Sequence, residues 1–321
     1  MTFAPPQARL AGLDAARGLA VLAMFVFHFI WDLGYFGYID AGVPYSHGVK
    51  AFGHGTAFAF LFIAGLCLVL AREQAAGWRL FWRRLLVVGG AAALVSAGTY
   101  VAFPQSFVFF GILHCIAASS LLAAPFLFLP WPAAFVAALA AGAAPLFLRH
   151  VVFDAPLLQW VGLSTLTPLT NDYRPLLPWA GALLLGVAAM KAARALRVFP
   201  LPLAGERSPA KPGRVRGRNP FAFLGRHSLL LYLVHQPALF AAFSALALLT
   251  ASPPEDATQD FVAACETQCG STGGAAATCR AACACTAEEI TRRGALEGVV
   301  DEAERAGRID EIARECLAKG R

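Results

Sequence analysis

Up to about residue 250 the chain consists of long apolar stretches with short polar breaks; beyond that point the pattern turns hydrophilic. Seven stretches, at 13–38, 49–71, 85–103, 107–129, 133–148, 176–193 and 226–250, read as membrane helices, which need roughly 20 apolar residues each. The segment 149–175, containing VVFDAPLLQWVGLSTLTPL, is also apolar, but Asp154 and its prolines interrupt it. It is expected to lie at the interface or to re-enter the bilayer, because irregular backbone cannot face lipid. The pattern predicts an all-α protein: a polytopic helix bundle of about seven spans in 1–250, then a small Cys-rich helical tail in 251–321.

The first stretch, LDAARGLAVLAMFVFHFIWDLGYFGY, departs from that uniformity, since it carries Asp14, Arg17, His28 and Asp32. At 100° per residue Arg17 and His28 fall within about 20° of each other, with both aspartates about 60° away on the same side. Trp31 flanks the stripe on its other side. Ionisable groups in hydrocarbon cost several kcal/mol unless they face the bundle interior or a wet cavity. The stripe therefore predicts the wall of a site. His28 stands one turn before Asp32, a spacing at which a carboxylate can orient an imidazole to take a proton from an amine or hydroxyl. The same spacing suits a structural pair bridging two helices. Arg17 has two readings as well: it snorkels to the inner headgroups, or it binds an anionic ligand. Asp14 neutralises it in either case, and Arg226, opening the last span, shares the alternatives.

Composition agrees with a membrane protein: 58% of residues are hydrophobic and 14% charged, with a mean hydropathy of +0.60. Soluble domains run at about 25% charged. The formal charge of +6 would suit nucleic acid, but its placement gives it another use. With the N-terminus inside and seven spans, fifteen Lys and Arg collect on the cytoplasmic side, against Lys50, Arg149 and Arg174 outside. That asymmetry sets orientation. It places the tail outside, and no nucleic-acid partner is expected. The first stretch is too long and too interrupted for the apolar part of a cleavable signal, so it is expected to serve as its own insertion signal.

Other polar groups sit within or beside the spans. His114 lies in the fourth, and Ser228, Tyr232 and His235 recur at i, i+4, i+7 in the seventh, with Gln236 alongside and Pro237 as a kink. His47, Asn171, Asp172 and Tyr173 fall near the outer face, and His54 just inside the second span. No nucleotide loop, HExxH or GxSxG motif occurs, and Cys67 and Cys115 read as packed thiols. No metal site is expected in the membrane part. In the tail, Cys265-x3-Cys269 and Cys279-x3-Cys283 are spaced for a helical hairpin, with Cys285 and Cys316 beyond. In an oxidising compartment nested disulfides, 265 with 283 and 269 with 279, would staple it. Four thiolates holding zinc are the rival. The alternating charges of 287–318 read as a solvated helix pair.

LDAARGLAVLAMFVFH resembles the first helix of acyltransferase-3-type membrane proteins, whose Arg and His are separated as Arg17 and His28 are. HFIWDLGYFGY, FLFIAGLCLVLA, FFGILHCIA, NDYRPLLPW and LGRHSLLLYLVHQP resemble blocks of the bacterial heparan-alpha-glucosaminide N-acetyltransferase-like membrane proteins, over residues 10–240. The resemblance implies acetyl transfer from acetyl-CoA across the membrane to a terminal glucosamine. It also implies an active histidine in the first outer loop, where His47 is the nearest counterpart.

The resulting expectation is a multi-pass acyltransferase of the cytoplasmic membrane. Acetyl-CoA or another acyl-CoA would be held at Asp14, Arg17 and Arg226. His28, Asp32, His114 and His235 would carry the chemistry. A glycan acceptor would meet Trp31, His47, Asn171, Asp172, Tyr173 and Gln236, and a homo-oligomer stays open. The alternatives are a transporter or flippase for a glycan or lipid-linked substrate, and a membrane anchor for the tail.

Overall fold

In the computed structural model the described residues are 11–40, 42–74, 77–197, 220–250, 255–271, 274–295 and 302–319. Among them all regular structure is helical, apart from one isolated bridge between Phe110 and Tyr173. The chain divides into two compact units, Met1–Ser244 and Ala245–Arg321.

The first unit contains α1 (Ala11–Tyr35), α2 (His47–Arg72), α3 (Gly77–Ala102), α4 (Ile112–Ala123), α5 (Trp131–Phe147), α6 (Leu176–Ala195), the short α7 (Pro220–Arg226) and most of α8 (Ser228–Thr250). Five of these, α1, α2, α3, α6 and α8, are long and apolar enough to cross a membrane; α4 and α5 are shorter apolar helices. All seven predicted runs are therefore helical, but α4 is much shorter than 107–129. Its start is delayed because residues 106–111 pair with a neighbouring loop instead: Asn171 N–H donates to Ser106 O at 2.8 Å and Arg174 N–H to Phe110 O at 3.1 Å. Its end comes just before Pro125, which has no N–H to continue the ladder. The segment 149–175 forms no spanning helix. It makes two 3-10 turns, Val151–Asp154 and Gln159–Val161, with the rest irregular.

Small residues set how closely the helices approach. A Cβ on Gly65 of α2 would run into the Leu183 carbonyl of α6, and one on Gly186 of α6 would meet the Phe62 carbonyl of α2. Around this crossing Leu61, Leu68, Leu183, Leu184 and Val187 are fully buried. Ala134, Ala138 and Ala141 bring α5 against α6 in the same core. A second close approach joins α1 to α7, where Gly18 faces the Phe221 carbonyl and Gly225 faces that of Asp14. Such crossings suit a solvent with no hydrophobic drive of its own, because dispersion contacts must do the packing. Lys191 of α6 donates from Nζ to the carbonyls of Phe126, Leu127 and Leu129, satisfying groups left open where α4 ends.

The second unit contains α9 (Glu255–Ser271), α10 (Ala276–Arg293) and α11 (Glu302–Lys319). Three disulfides hold it: Cys265–Cys283, Cys269–Cys279 and Cys285–Cys316. The first two are the nested pair expected from the CxxxC spacings; the third, tying α11 to α10, had no spacing to reveal it. Gly274 sits at the hairpin bend because a Cβ there would collide with the sulfurs of Cys279 and Cys269.

Candidate functional site

The polar stripe of α1 meets α8, and the contact is made by side chains. Gln236 Nε2 donates to Asp32 Oδ1 at 2.9 Å. The rings of His28 and His235 stand edge to face with centroids 4.8 Å apart, and Phe25 packs on His235 at 5.2 Å. Asp32 and His235 are only 3% and 4% exposed. Phe27 touches His28 from the other side and is itself held over Gly53 of α2, where a Cβ would not fit.

Hydrogen bonding fixes the state of His235. Its Nδ1 lies 2.7 Å from the Tyr232 carbonyl, which can only accept, so Nδ1 carries the proton and Nε2 keeps a free lone pair. That Nε2 is buried and has no partner. Neither has Asp32 Oδ2 or Gln236 Oε1. Among the described residues four buried side-chain polar atoms lack a partner, and three belong to this one cluster. Each such orphan costs about 1–3 kcal/mol in a folded protein. His235 Nε2 and Gln236 Oε1 are acceptors, and Asp32 Oδ2 accepts or donates according to whether the carboxyl carries a proton.

The geometry departs from the sequence expectation at His28. No hydrogen bond joins it to Asp32, whose bound oxygen is engaged by Gln236 instead. The i,i+4 spacing puts the two residues on one face, but a partner 204 positions away has taken one carboxylate oxygen and His28 has taken neither. His114 is also in a different situation from that expected. Ser96 Oγ gives its hydrogen to Val108 O at 2.6 Å, so His114 Nε2, 3.2 Å from that oxygen, must be the donor between them. Its Nδ1 accepts from Gly111 N–H at 3.3 Å. Both ring nitrogens are spent tying α3, α4 and the 108–111 loop together.

The outer-loop candidates are largely engaged in structure. Asp172 Oδ2 accepts from Ile112 N–H at 3.1 Å, capping α4. Tyr173 donates its hydroxyl to Gln159 O at 2.6 Å. Asn171 is exposed, as is His47 at the start of α2. Trp31 stacks edge-on against Tyr45, with centroids 5.3 Å apart, and Lys50 sits over that tyrosine. Arg174 was not among the expected binding residues. Its guanidinium lies over Trp179 at 5.4 Å and pairs with Asp172 Oδ1 at 3.8 Å. Its only sequence signal was its place in the NDYR block.

At the other end of α1, Arg17 donates to Asp14 Oδ1 and the Gly225 carbonyl, each at 3.4 Å, and to Cys67 Sγ at 3.0 Å. Arg226 is exposed, and its Nε bonds back to Ala222 O on its own helix at 3.2 Å. Arg17 and His28 thus occupy opposite ends of one helix, about 16 Å apart at 1.5 Å per residue.

Helices of spanning length, with buried histidine, carboxylate and amide groups converging between α1 and α8, define a polytopic membrane protein with a polar site in its bundle. Residues 9–237 match the family described as heparan-alpha-glucosaminide N-acetyltransferase, catalytic, and the chain belongs to that family. Membership implies a membrane acetyltransferase. Comparison with curated proteins gives no match. Comparison with solved structures gives none either.

Proposed function

We propose that the protein transfers an acetyl group from acetyl-CoA, reached from the cytoplasmic side, to the amine of a glucosamine-type glycan acceptor at the outer face. The observation that carries this reading is the set of three buried, unpartnered polar atoms on Asp32, His235 and Gln236. An amine or hydroxyl supplies the donor hydrogens that His235 Nε2 and Gln236 Oε1 lack. The Lys/Arg asymmetry supports an inner N-terminus and an outer tail, and the three disulfides suit a tail outside the cytoplasm.

In this reading Asp32 and Gln236 orient the acceptor amine and His235 Nε2 takes its proton. Its fixed Nδ1–H tautomer makes it the better-placed base than His28. The amine nitrogen bonds to the thioester carbonyl carbon, the C–S bond breaks, and the departing sulfur receives the proton held by His235. His28, whose ring centroid lies 4.8 Å from that of His235, stands beside the reacting atoms. Arg17 marks the inner end, and His114 holds α3 and α4 in place.

The test uses purified full-length protein with labelled acetyl-CoA and a panel of amino sugars. His235→Ala is expected to lower turnover by about 10²–10⁴-fold, the usual contribution of a general base, at unchanged membrane-inserted protein. Undiminished turnover in that variant would move the base elsewhere. Saturable glycan movement by the wild type, with no acylated product, would replace the enzyme by a transporter.

A further inference from the structure

Attack on a thioester drives an electron pair onto the carbonyl oxygen, and that oxygen needs a hydrogen-bond donor. The α1–α8 cluster has committed its own donors elsewhere. His235 gives its Nδ1 hydrogen to the Tyr232 carbonyl at 2.7 Å, and Gln236 turns its amide nitrogen to Asp32 at 2.9 Å. The side chain of Tyr232 is free of such commitments. It stands one turn before His235 and Gln236 on α8. At 100° per residue they lie about 60° and 40° to either side of it, so all three share a face. Its ring touches that of His235, with centroids 5.6 Å apart. The ring also packs on the cluster made by Ala91 and Ala92 of α3 and Leu113 of α4, which holds it in place. Among the described residues its hydroxyl has no hydrogen-bond partner. Tyr232 is half-buried, and its oxygen, unlike His235 Nε2, is not sealed off, so a substrate atom can reach it. A hydroxyl left idle inside a bundle costs free energy that a substrate oxygen would restore.

The direction of α8 sets Tyr232 apart from its neighbours. α8 runs parallel to α1: Asp14 and Arg17 lie against Gly225, His28 against His235, and Phe36 against Phe240 and Phe243. Tyr232 is therefore about 4.5 Å nearer than His235 to the Arg17 end. His28 faces His235 at the same level. Resting on the reading of the protein as an acetyltransferase whose donor is reached from that end, we propose that the Tyr232 hydroxyl donates to the thioester carbonyl oxygen as the amine attacks. The carbon–nitrogen bond forms and the carbonyl π pair moves to oxygen. The Tyr232 O–H bonds to that oxygen and keeps its own proton. When the carbonyl reforms, the C–S bond breaks, and the sulfur takes the proton that His235 received from the amine. Base and oxyanion donor thus sit one turn apart on a single helix face.

The test measures turnover of labelled acetyl-CoA with a panel of amino sugars on the purified full-length chain in detergent. Tyr232→Phe keeps the ring and its packing and removes one donor. Its kcat is expected to fall about 10²–10³-fold, the usual cost of losing an oxyanion donor. KM for both substrates should stay unchanged, because the contact gains its strength only in the transition state. 3-Fluorotyrosine in place of Tyr232 restores the hydroxyl on a ring of nearly the same shape, and should bring turnover back. Thermal unfolding of each variant checks that the fold is kept. A folded Tyr232→Phe variant with wild-type kcat overturns the inference and leaves acetyl transfer standing. So does a loss that 3-fluorotyrosine fails to reverse, or one carried wholly by KM, either of which would make Tyr232 a packing or binding element. Should Tyr232→Phe fail to fold, fluorotyrosines of rising acidity carry the test: kcat is expected to change with the acidity of the phenol, and a flat response overturns the inference. A wild type that acetylates no amino sugar brings down the acetyl-transfer reading, and this inference with it.

Discussion

The membrane unit and the C-terminal unit reach order from opposite starting materials. In the first, Leu61, Leu183 and Val187 are buried around a crossing where Gly65 and Gly186 let two backbones nearly touch, and both cysteines, Cys67 and Cys115, are free thiols. In the second, the buried side chains described are few and, Ile312 apart, small, among them Cys279, Cys283, Thr286 and Ala287, and three covalent links supplement that slight core. Small domains with little apolar surface to bury commonly need such staples. The difference teaches where polarity can be tolerated. A bundle with a surplus of packing can hold three unpartnered polar atoms on Asp32, His235 and Gln236, whereas the small unit has no such reserve.

Reduction should break the comparison most visibly. Closing loops of 10, 18 and 31 residues, each bond contributes roughly 3 kcal/mol, more in sum than a unit of that size is expected to have to spare. A reductant is therefore expected to abolish hydrogen-exchange protection in α9, α10 and α11 while leaving that of α2, α3 and α6 unchanged. Persisting protection in the reduced tail would mean that its core suffices without the bonds.

The next effect is smaller and lies in the membrane unit. Gly65→Val places methyl groups against the Leu183 carbonyl, a backbone atom that cannot swing away. Overpacking of this kind costs about 1–3 kcal/mol. Gly90→Ala, where nothing lies within 4 Å of the new Cβ, should change stability by less than about 0.5 kcal/mol. Thermal unfolding in detergent reads both. Equal losses would show that glycine matters there for the helix itself and not for the crossing.

How much of this was legible in the chain depends on range. The stripe on α1 was readable because helical periodicity is local: Asp32, His28 and Arg17 do share a face, and Asp32 is buried as the cost of idle charge demanded. The nested disulfides were readable for the same reason, since both CxxxC pairs sit one turn apart on α9 and α10. What was not readable is what distant residues do to local ones. Gln236 takes one oxygen of the carboxylate that spacing had offered to His28, and Ser96 with Gly111 takes both nitrogens of His114. Asp172, expected at a ligand, caps α4 across 60 positions. The late start of α4 has the same origin, because its first residues pair with the 170–174 loop. A sequence shows which residues are polar where polarity is costly, but their partners are decided by tertiary packing.

The finest contrast lies between that α4 cap and the loop at 149–169. Asp154 Oδ1 accepts from Ser164 Oγ at 2.6 Å and from Thr165 N–H at 2.7 Å, while Oδ2 accepts from Thr165 Oγ1 at 2.7 Å. The Ser164 hydroxyl first, and then the Thr165 hydroxyl, hold the carboxyl down to about 2, well below its ordinary value. A carboxyl lowered in the folded state stabilises that state above its ordinary titration range, and loses the contribution as pH falls through the folded value. The loop should therefore stay resistant to pepsin at pH 4 and become cleavable as pH approaches 2. Asp154→Asn, which cannot accept at both positions, should be cleaved there at pH 4 already, with the spans α2 and α6 untouched. Equal resistance of that variant at pH 4 would show that the loop is held by its apolar contacts, with Ser164 and Thr165 merely following.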